Sequence, residues 1–85
     1  MKLTVIGGAG VRTVIFINGL LKRYKALHIE EVVLYDIDYK KLEIIEKLCG
    51  QVIFRENKDL KLSICKDIKT AIIGADYIVT TLRVG

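Results

Sequence analysis

Apolar residues follow two different spacings along this chain of 85 residues, and the two spacings alternate. Short β-rich runs are separated by longer stretches in which apolar positions recur every three or four residues, the spacing of a buried helix face. Strands are predicted over residues 2–6, 31–35, 60–65 and 77–82, and helices over residues 11 to about 27, 39 to about 49 and 68–73.

The resulting order β-α-β-α-β-α-β predicts an α/β fold of the Rossmann type. Alternation of this kind implies a parallel sheet with right-handed crossovers, and a doubly wound sheet would have the strand order 3-2-1-4. The fourth strand would then leave one apolar edge unpaired, as if further strands were to follow. We therefore expect residues 1–85 to be the N-terminal part of a Rossmann-type domain, in which strands five and six are absent.

Polar residues and glycines mark the predicted ends of the helices. Asp38 and Asp67 are good N-caps for the second and third helices, and Gly50 is a plausible C-cap for the second. The stretch 51–59 is ambiguous, because its apolar residues could finish the helix or form a short extended piece. The strand at 60–65 alternates apolar and polar residues, which predicts a position near the sheet edge.

Composition narrows the class of protein. The chain is 52% hydrophobic and 28% charged, which predicts a folded domain. Its net charge of +4 comes from basic residues interleaved with acids and few aromatics, a pattern of solvated helix faces rather than of nucleic-acid binding. No apolar run reaches the length of a membrane span, so we expect no membrane partner and a cytoplasmic location. Cys49 and Cys65 lack metal-site spacing and are expected to be reduced, buried thiols, with a disulfide or a metal site as the alternative.

A glycine-rich turn, Gly7-Gly8-Ala9-Gly10, lies between the first strand and the first helix. The pyrophosphate of a dinucleotide requires N–H donors at a helix N-terminus and close approach of the backbone, and this arrangement offers both. Two alignments with the G-x-G-x-x-G fingerprint stay open, one from Gly8 to Thr13 and one from Gly7 to Arg12. A merely structural turn is the alternative. The predicted cofactor-binding residues are Gly7, Gly8, Ala9, Gly10, Val11 and Arg12.

Asp36 follows the second strand and is the other predicted cofactor residue. A carboxylate there accepts both hydroxyls of the adenine ribose and repels a 2′-phosphate, so it favours NAD over NADP. Helix capping is the alternative function, but Asp38 is better placed to cap, which leaves Asp36 available for a ligand.

Arg83 follows the fourth strand, at the carboxyl edge where open α/β sheets bind ligands. Its guanidinium suits a phosphate or a carboxylate, and a solvent-exposed arginine is the alternative. His28 is expected to be a surface residue past the first helix rather than a catalyst. Because no triad, carboxylate pair or metal-ligand cluster has usable spacing, no catalytic or metal-binding residue is assigned in this sequence.

Four blocks of sequence together resemble a known family: VIGGAGVRT (5–13), GL (19–20), VVLYDID (32–38) and GADYIVTTLRVG (74–85). They are similar to the start of glycoside hydrolase family 4 enzymes, in particular the 6-phospho-β-glucosidase branch. The chain departs from the family pattern at Ala9, where a glycine is usual, at Val14, where a proline is common, and at Asn18, where an acid is common. It is also much shorter than the several hundred residues of family members.

The resemblance implies an unusual glycosidase. It implies hydrolysis of a phosphorylated sugar substrate, a 6-phospho-β-glucoside, by an NAD- and metal-dependent oxidation–elimination mechanism, with manganese as the typical metal. The metal ligands and the tyrosine base would lie outside this sequence, so the segment alone is expected to be inactive. By similarity, Arg83 would hold the 6-phosphate. Independently of the resemblance, the unpaired apolar edge of the fourth strand predicts a homo-oligomer.

Two other functions remain open from the residues. An NAD-dependent dehydrogenase of the malate or lactate type shares the opening β-α-β unit. A non-catalytic nucleotide-binding or assembly module would have the same loop without any chemistry.

Overall fold

A computed structural model of the chain describes residues 1–81, in which four strands alternate with three helices. The elements are β1 (Lys2–Ile6), α1 (Val11–Leu20), β2 (Glu31–Tyr35), α2 (Tyr39–Arg55), β3 (Lys61–Cys65), α3 (Ile68–Ile72) and β4 (Tyr77–Thr80). The strands are parallel and lie in the order β3-β2-β1-β4. The predicted fold class and strand order are therefore confirmed.

The main core lies between the sheet and the helices α1 and α2, which pack against each other. Its most buried side chains are Val5, Val32 and Leu34 of the strands, Ile17 of α1 and Leu42 of α2. The three central positions of β2 are all buried, as expected for a strand that is covered on both faces.

The third helix covers the other face of the sheet. Thr4 of β1 donates from its Oγ1 to the carbonyl of Ala71 in α3 at 2.6 Å, whereas Leu3 and Val5 belong to the core beneath α1 and α2. Neighbouring residues of a strand point to opposite faces, so α3 and the first two helices lie on opposite sides. A right-handed crossover from β3 back to β4 produces this arrangement.

The first helix is shorter than the apolar spacing predicted, since α1 ends at Leu20. The N–H groups of Lys22 and Arg23 donate to carbonyls three residues back rather than four, which tightens the chain into turns. These turns continue to His28, whose φ is 59°. Tyr24 is still buried within them. The pattern thus predicted burial beyond Leu20, but not the change in hydrogen bonding.

The second helix is longer than predicted, and the C-cap proposed at Gly50 was wrong. It continues to Arg55 because Ile53, only 8% exposed, extends its buried face by another turn. Asn57 then adopts a φ of 54°. The Asn57 N–H donates to the carbonyl of Phe54 at 3.0 Å, and the Lys58 N–H donates to the carbonyl of Ile53 at 3.2 Å. These two bonds form a Schellman motif, which ends the helix.

Both predicted N-caps are confirmed. The Asp38 carboxylate accepts a hydrogen bond from the N–H of Lys41 at 3.2 Å, and the Asp67 carboxylate accepts one from the N–H of Thr70 at 3.1 Å. These bonds satisfy N–H groups that the first turn of a helix leaves without an intrahelical acceptor.

The described sheet ends at β4, which pairs with β1 along one side. Tyr77 and Ile78 of β4 are 47% and 52% exposed, so this edge of the sheet is apolar and open in residues 1–81. Residue 82, the predicted end of the strand, lies outside the described residues. Within that described part, none of the helices combines the length and the apolarity that crossing a bilayer requires.

Candidate functional site

The glycine-rich loop, residues 7–10, folds over the carboxyl ends of β1 and β2. The N–H groups of Gly7 and Gly8 both donate to the carbonyl of Tyr35, at 2.8 and 2.9 Å. Gly7 has a φ of +85°, a conformation that glycine adopts without steric cost. The first half of the loop is thus fixed to the end of the neighbouring strand.

The space around the glycines differs from one to the next. A Cβ on Gly7 would lie 2.7 Å from Oγ1 and 2.9 Å from the carbonyl oxygen of Thr81, and one on Gly8 would lie 3.1 Å from Cβ of Leu34. A Cβ on Gly10 would meet nothing within 4 Å. Packing therefore excludes a side chain at Gly7 and leaves little room for one at Gly8, whereas Gly10 faces open space in which a ligand has room.

Thr81 is a part of the site that the sequence analysis missed. Its hydroxyl donates to the carbonyl of Gly7 at 2.6 Å, and its N–H donates to the carbonyl of Ile6 at 2.9 Å. The end of β4 thereby fixes the turn at the end of β1. A signal existed, because the order 3-2-1-4 puts a hydroxyl residue after the fourth strand beside the glycines.

Asp36 is 6% exposed and fastens the loop from the side of β2. Its Oδ2 accepts from the N–H of Ala9 at 3.0 Å, and its Oδ1 accepts from the N–H of Asp38 at 2.9 Å. The expectation that capping by Asp38 would leave Asp36 available to a ligand was therefore wrong in part. A buried carboxylate requires hydrogen-bond donors, and two backbone N–H groups supply them here.

The N-terminus of α1 differs from those of the other two described helices. Gly10 is its N-cap residue and offers no side chain, whereas the carboxylates of Asp38 and Asp67 cap the other two helices. The next residues, Val11 and Arg12, are exposed, Val11 to 73%. The first N–H groups of a helix carry a partial positive charge, to which the Arg12 guanidinium adds. This end of α1 is consequently suited to an anion.

Two cavities border the loop. One of about 230 Å³ lies at the carboxyl edge of the sheet and is lined by Ile6, Gly7, Tyr35, Asp36, Ile37 and Thr81. The other, of about 400 Å³, lies between α1 and α2 and is lined by Ala9, Gly10, Val11, Lys41, Ile44 and Ile45. The structure therefore brings the predicted residues of the loop and Asp36 together around one edge of the sheet.

The remaining candidates lie elsewhere. His28 is exposed at the amino edge of the sheet, where its carbonyl accepts from the N-terminal amine at 2.7 Å. Cys49 and Cys65 are both free thiols, but only Cys49 is buried, so the expected burial of Cys65 was wrong. Burial raises the pKa of Cys49 to about 11. Arg83 lies outside the described residues. Among residues 1–81, no group of three or more His, Cys, Asp or Glu side chains could hold a metal ion.

Comparison with known proteins gives the family. A family model described as "Family 4 glycosyl hydrolase" matches residues 2–85. The chain belongs to this family. The resemblance based on the four sequence blocks is thus confirmed.

Three relatives illustrate the similarity. The chain is 36% identical over 87 aligned positions to a 6-phospho-beta-glucosidase of Escherichia coli, an alignment that covers 100% of this chain and 19% of the relative. A structure of a 6-phospho-alpha-glucosidase from gut microorganisms, in complex with NAD and glucose-6-phosphate, matches with a TM-score of 0.91 and 30% identity over 100% of this chain and 19% of the other. A structure of a Thermotoga maritima 6-phospho-beta glucosidase with manganese, NAD+ and glucose-6-phosphate matches with a TM-score of 0.83 and 30% identity. This match covers 98% of this chain and 20% of the other.

The chain spans about a fifth of the length of these relatives. The similarity therefore concerns one region of each longer protein, and that region contains the loop and the sheet described above.

Proposed function

We propose that these residues are the N-terminal part of the NAD-binding domain of a family 4 glycosidase that hydrolyses 6-phosphoglucosides. The observation that carries the proposal is the α1 N-terminus, which has no side-chain cap and opens beside Gly10 into space. The similar structures that contain NAD support the choice of ligand.

The pyrophosphate would be held by the backbone at the start of α1. The N–H groups of Gly7, Gly8 and Ala9 are bonded to Tyr35 and Asp36. The donors of Gly10, Val11 and Arg12 follow at the open end of the helix, where the dipole favours an anion. Gly10 lets the backbone approach a phosphate closely, since no Cβ intervenes.

The adenine ribose would be held beside Asp36. Its carboxylate lines the cavity of about 230 Å³ at the carboxyl edge, so hydroxyls that enter this cavity meet a negative charge. That charge would repel a 2′-phosphate, which supports NAD over NADP. Asp36 would thus serve two purposes, because it also anchors the loop through Ala9.

When bound, NAD would supply the hydride acceptor for the oxidation at the sugar 3-hydroxyl that the family resemblance implies before elimination. These residues would bind and orient the cofactor through the backbone of the loop and the Asp36 carboxylate. A divalent metal, manganese in the Thermotoga structure, is proposed for the complete enzyme with ligands outside this chain.

Arg83 is proposed to hold the 6-phosphate of the sugar through a charge-assisted, bidentate pair. Arg83→Ala in a complete enzyme that carries this segment should lower activity on phosphorylated glucosides by at least about a hundredfold, the scale of a lost charged hydrogen bond. NAD affinity should hardly change. If the variant instead binds NAD more weakly, Arg83 belongs to the cofactor site. If neither the activity nor the NAD affinity falls, Arg83 is a solvent-facing residue.

We propose the β linkage because three curated relatives named for β-glucosides are 36%, 30% and 31% identical to the chain, against 28% for one named for α-glucosides. Assays of the complete enzyme with both phosphorylated anomers test this choice. We also propose self-association through the apolar edge of β4, which sedimentation of the chain over a range of concentrations tests. A monomer at every concentration would contradict it.

Calorimetric titration of the chain with NAD and with NADP tests the central proposal. We expect NAD to bind more tightly, and Asp36→Ala to lose about 1–3 kcal/mol of binding free energy. Asp36→Asn removes the charge and keeps one oxygen as an acceptor for the Ala9 N–H, while its amide nitrogen replaces the oxygen that accepts from the Asp38 N–H. This variant should narrow the preference for NAD, and its thermal unfolding, measured beside the titration, separates that loss from a weakened loop. Equal affinity of the unchanged chain for both cofactors would refute the function given to Asp36.

The two rival functions differ in what supports them. The family match over residues 2–85 favours a glycosidase over a dehydrogenase of the malate or lactate type. A non-catalytic nucleotide-binding module predicts NAD binding by the chain without any contribution to hydrolysis. Restoration of activity when the chain is combined with the remaining part of a family enzyme would exclude that rival.

A further inference from the structure

Thr13, the third residue of α1, contains a buried hydroxyl that packing does not explain. The residue is 1% exposed, and its Oγ1 has no hydrogen-bond partner among residues 1–81. The other buried threonine, Thr4, donates to the Ala71 carbonyl at 2.6 Å. An unpaired buried hydroxyl costs free energy, and a valine would fill the same space without that cost. The hydroxyl therefore indicates an acceptor that binding supplies.

Thr13 lies in the first turn of α1, next to the open end of the helix. In a helix each Cα–Cβ bond tilts toward the N-terminus, so the side chain of the third residue leads back to the first turn. The Thr13 N–H donates to the carbonyl of Gly10 at 3.0 Å, which closes that turn directly behind the glycine that faces open space. Val11 and Arg12 lie on the outer side of the same turn and are exposed.

Thr13 also stands where the dinucleotide fingerprint that starts at Gly8 has its third glycine. That glycine allows close packing of the helix on the strand. Here a complete threonine side chain is enclosed at this place, so the interface has room for more than a glycine. The larger side chain brings a polar group to a position one turn behind the proposed pyrophosphate.

We propose that Thr13 is a further cofactor-binding residue, whose hydroxyl donates to the pyrophosphate of the dinucleotide, directly or through one water bound with it. The inference rests on the proposed NAD site and deepens it. Because Oγ1 is enclosed, the first turn of α1 must open slightly for the contact to form. The hydroxyl thus destabilises the ligand-free chain and stabilises the complex.

The test compares Thr13→Val, which keeps the shape and removes the hydroxyl, with Thr13→Ser, which keeps the hydroxyl. Thermal unfolding without ligand and calorimetric titration with NAD are measured for each variant of the chain. For Thr13→Val we expect an unfolding midpoint equal to or above that of the unchanged chain, with NAD affinity at least about tenfold weaker, the scale of a hydrogen bond to a charged group. Thr13→Ser should keep NAD affinity within about threefold. ADP, which retains a diphosphate, should show the same loss with Thr13→Val.

Four results would overturn the inference. A lower ligand-free midpoint for Thr13→Val would mean that the hydroxyl is already paired and structural. Unchanged NAD affinity, or a loss for NAD without one for ADP, would separate the hydroxyl from the diphosphate. Failure of the unchanged chain to bind NAD would refute the proposed function itself, and this inference with it.

Discussion

Replacement of Gly7 by alanine should unfold much of the chain's population, because two independent costs meet at this residue. Its φ of +85° costs an alanine about 1–2 kcal/mol. The new Cβ would lie 2.9 Å from the carbonyl oxygen of Thr81, a backbone atom that cannot rotate away. Displacement of this strand end should cost a further 1–3 kcal/mol or so, the scale of overpacking. The sum, about 2–5 kcal/mol, is a large part of the stability of a small domain.

Gly74→Ala is the matched control for this prediction. Gly74 has a φ of +75°, but a Cβ there would meet nothing within 4 Å, so only the conformational cost of about 1–2 kcal/mol applies. Denaturant unfolding gives the free energy of each variant, and thermal unfolding should separate their midpoints by at least about 5 °C. If Gly7→Ala is no more destabilising than Gly74→Ala, the contact with Thr81 does not fix the loop and the reasoning is wrong.

Three further predictions concern the cofactor, a thiol and a carboxylate. Gly10→Ala should leave the unfolding free energy within about 0.5 kcal/mol, since its Cβ meets open space, while calorimetry shows NAD binding at least about tenfold weaker because the methyl group obstructs the pyrophosphate. At pH 8 a disulfide-forming reagent should modify Cys65 quickly and Cys49 only on unfolding, because burial raises the pKa of Cys49 to about 11. A fast phase of thiol modification that remains in Cys65→Ser would contradict this prediction. The hydrogen bond from Tyr24 holds the pKa of Asp59 below its ordinary value of 3.8, so this bond stabilises the fold above that value and is lost as the pH falls through the lowered pKa. Tyr24→Phe should make stability less dependent on pH in this acid range, and identical slopes for the two proteins would refute the assignment.

The topology could be predicted because it depends on patterns that many residues share. Each strand has a continuous or alternating apolar run, and each helix has a repeated apolar face. The strand order then follows from the handedness of the crossovers rather than from any one residue. An error at one position changes none of these inferences, which is why the order β3-β2-β1-β4 agrees with the prediction.

The ends of the helices were less predictable because single backbone bonds decide them. Gly50 is the residue type that most often ends a helix, yet Ile53 had apolar surface to bury and the helix continued. Asn57, a less frequent choice, adopts the left-handed conformation instead. In the first helix, bonds to carbonyls three residues back end the regular geometry at Leu20 although Tyr24 remains buried.

Within the site, the sequence indicated which residues meet but not how their hydrogen bonds are shared. Asp36 was expected at the ribose, and the structure adds that its carboxylate accepts from Ala9 and from Asp38. Thr81 escaped prediction because its contact with Gly7 joins residues 74 positions apart. Such contacts depend on the assembled sheet, so no local spacing predicts them.

The hydrogen bonds within the glycine-rich loop affect how a ligand binds to it. The first part of the loop is fixed by protein partners: Tyr35 holds Gly7 and Gly8, Asp36 holds Ala9, and Thr81 holds Gly7 again. A ligand therefore meets a loop that is already ordered, which lowers the entropic cost of its binding. Substitutions at Gly7 should act on the loop and weaken stability and binding together. Substitution of Gly10 should weaken binding with little effect on stability, because this position faces the space that the fold leaves open. Removal of the Thr13 hydroxyl should weaken binding while the ligand-free chain keeps or gains stability, because the fold leaves this hydroxyl unpaired.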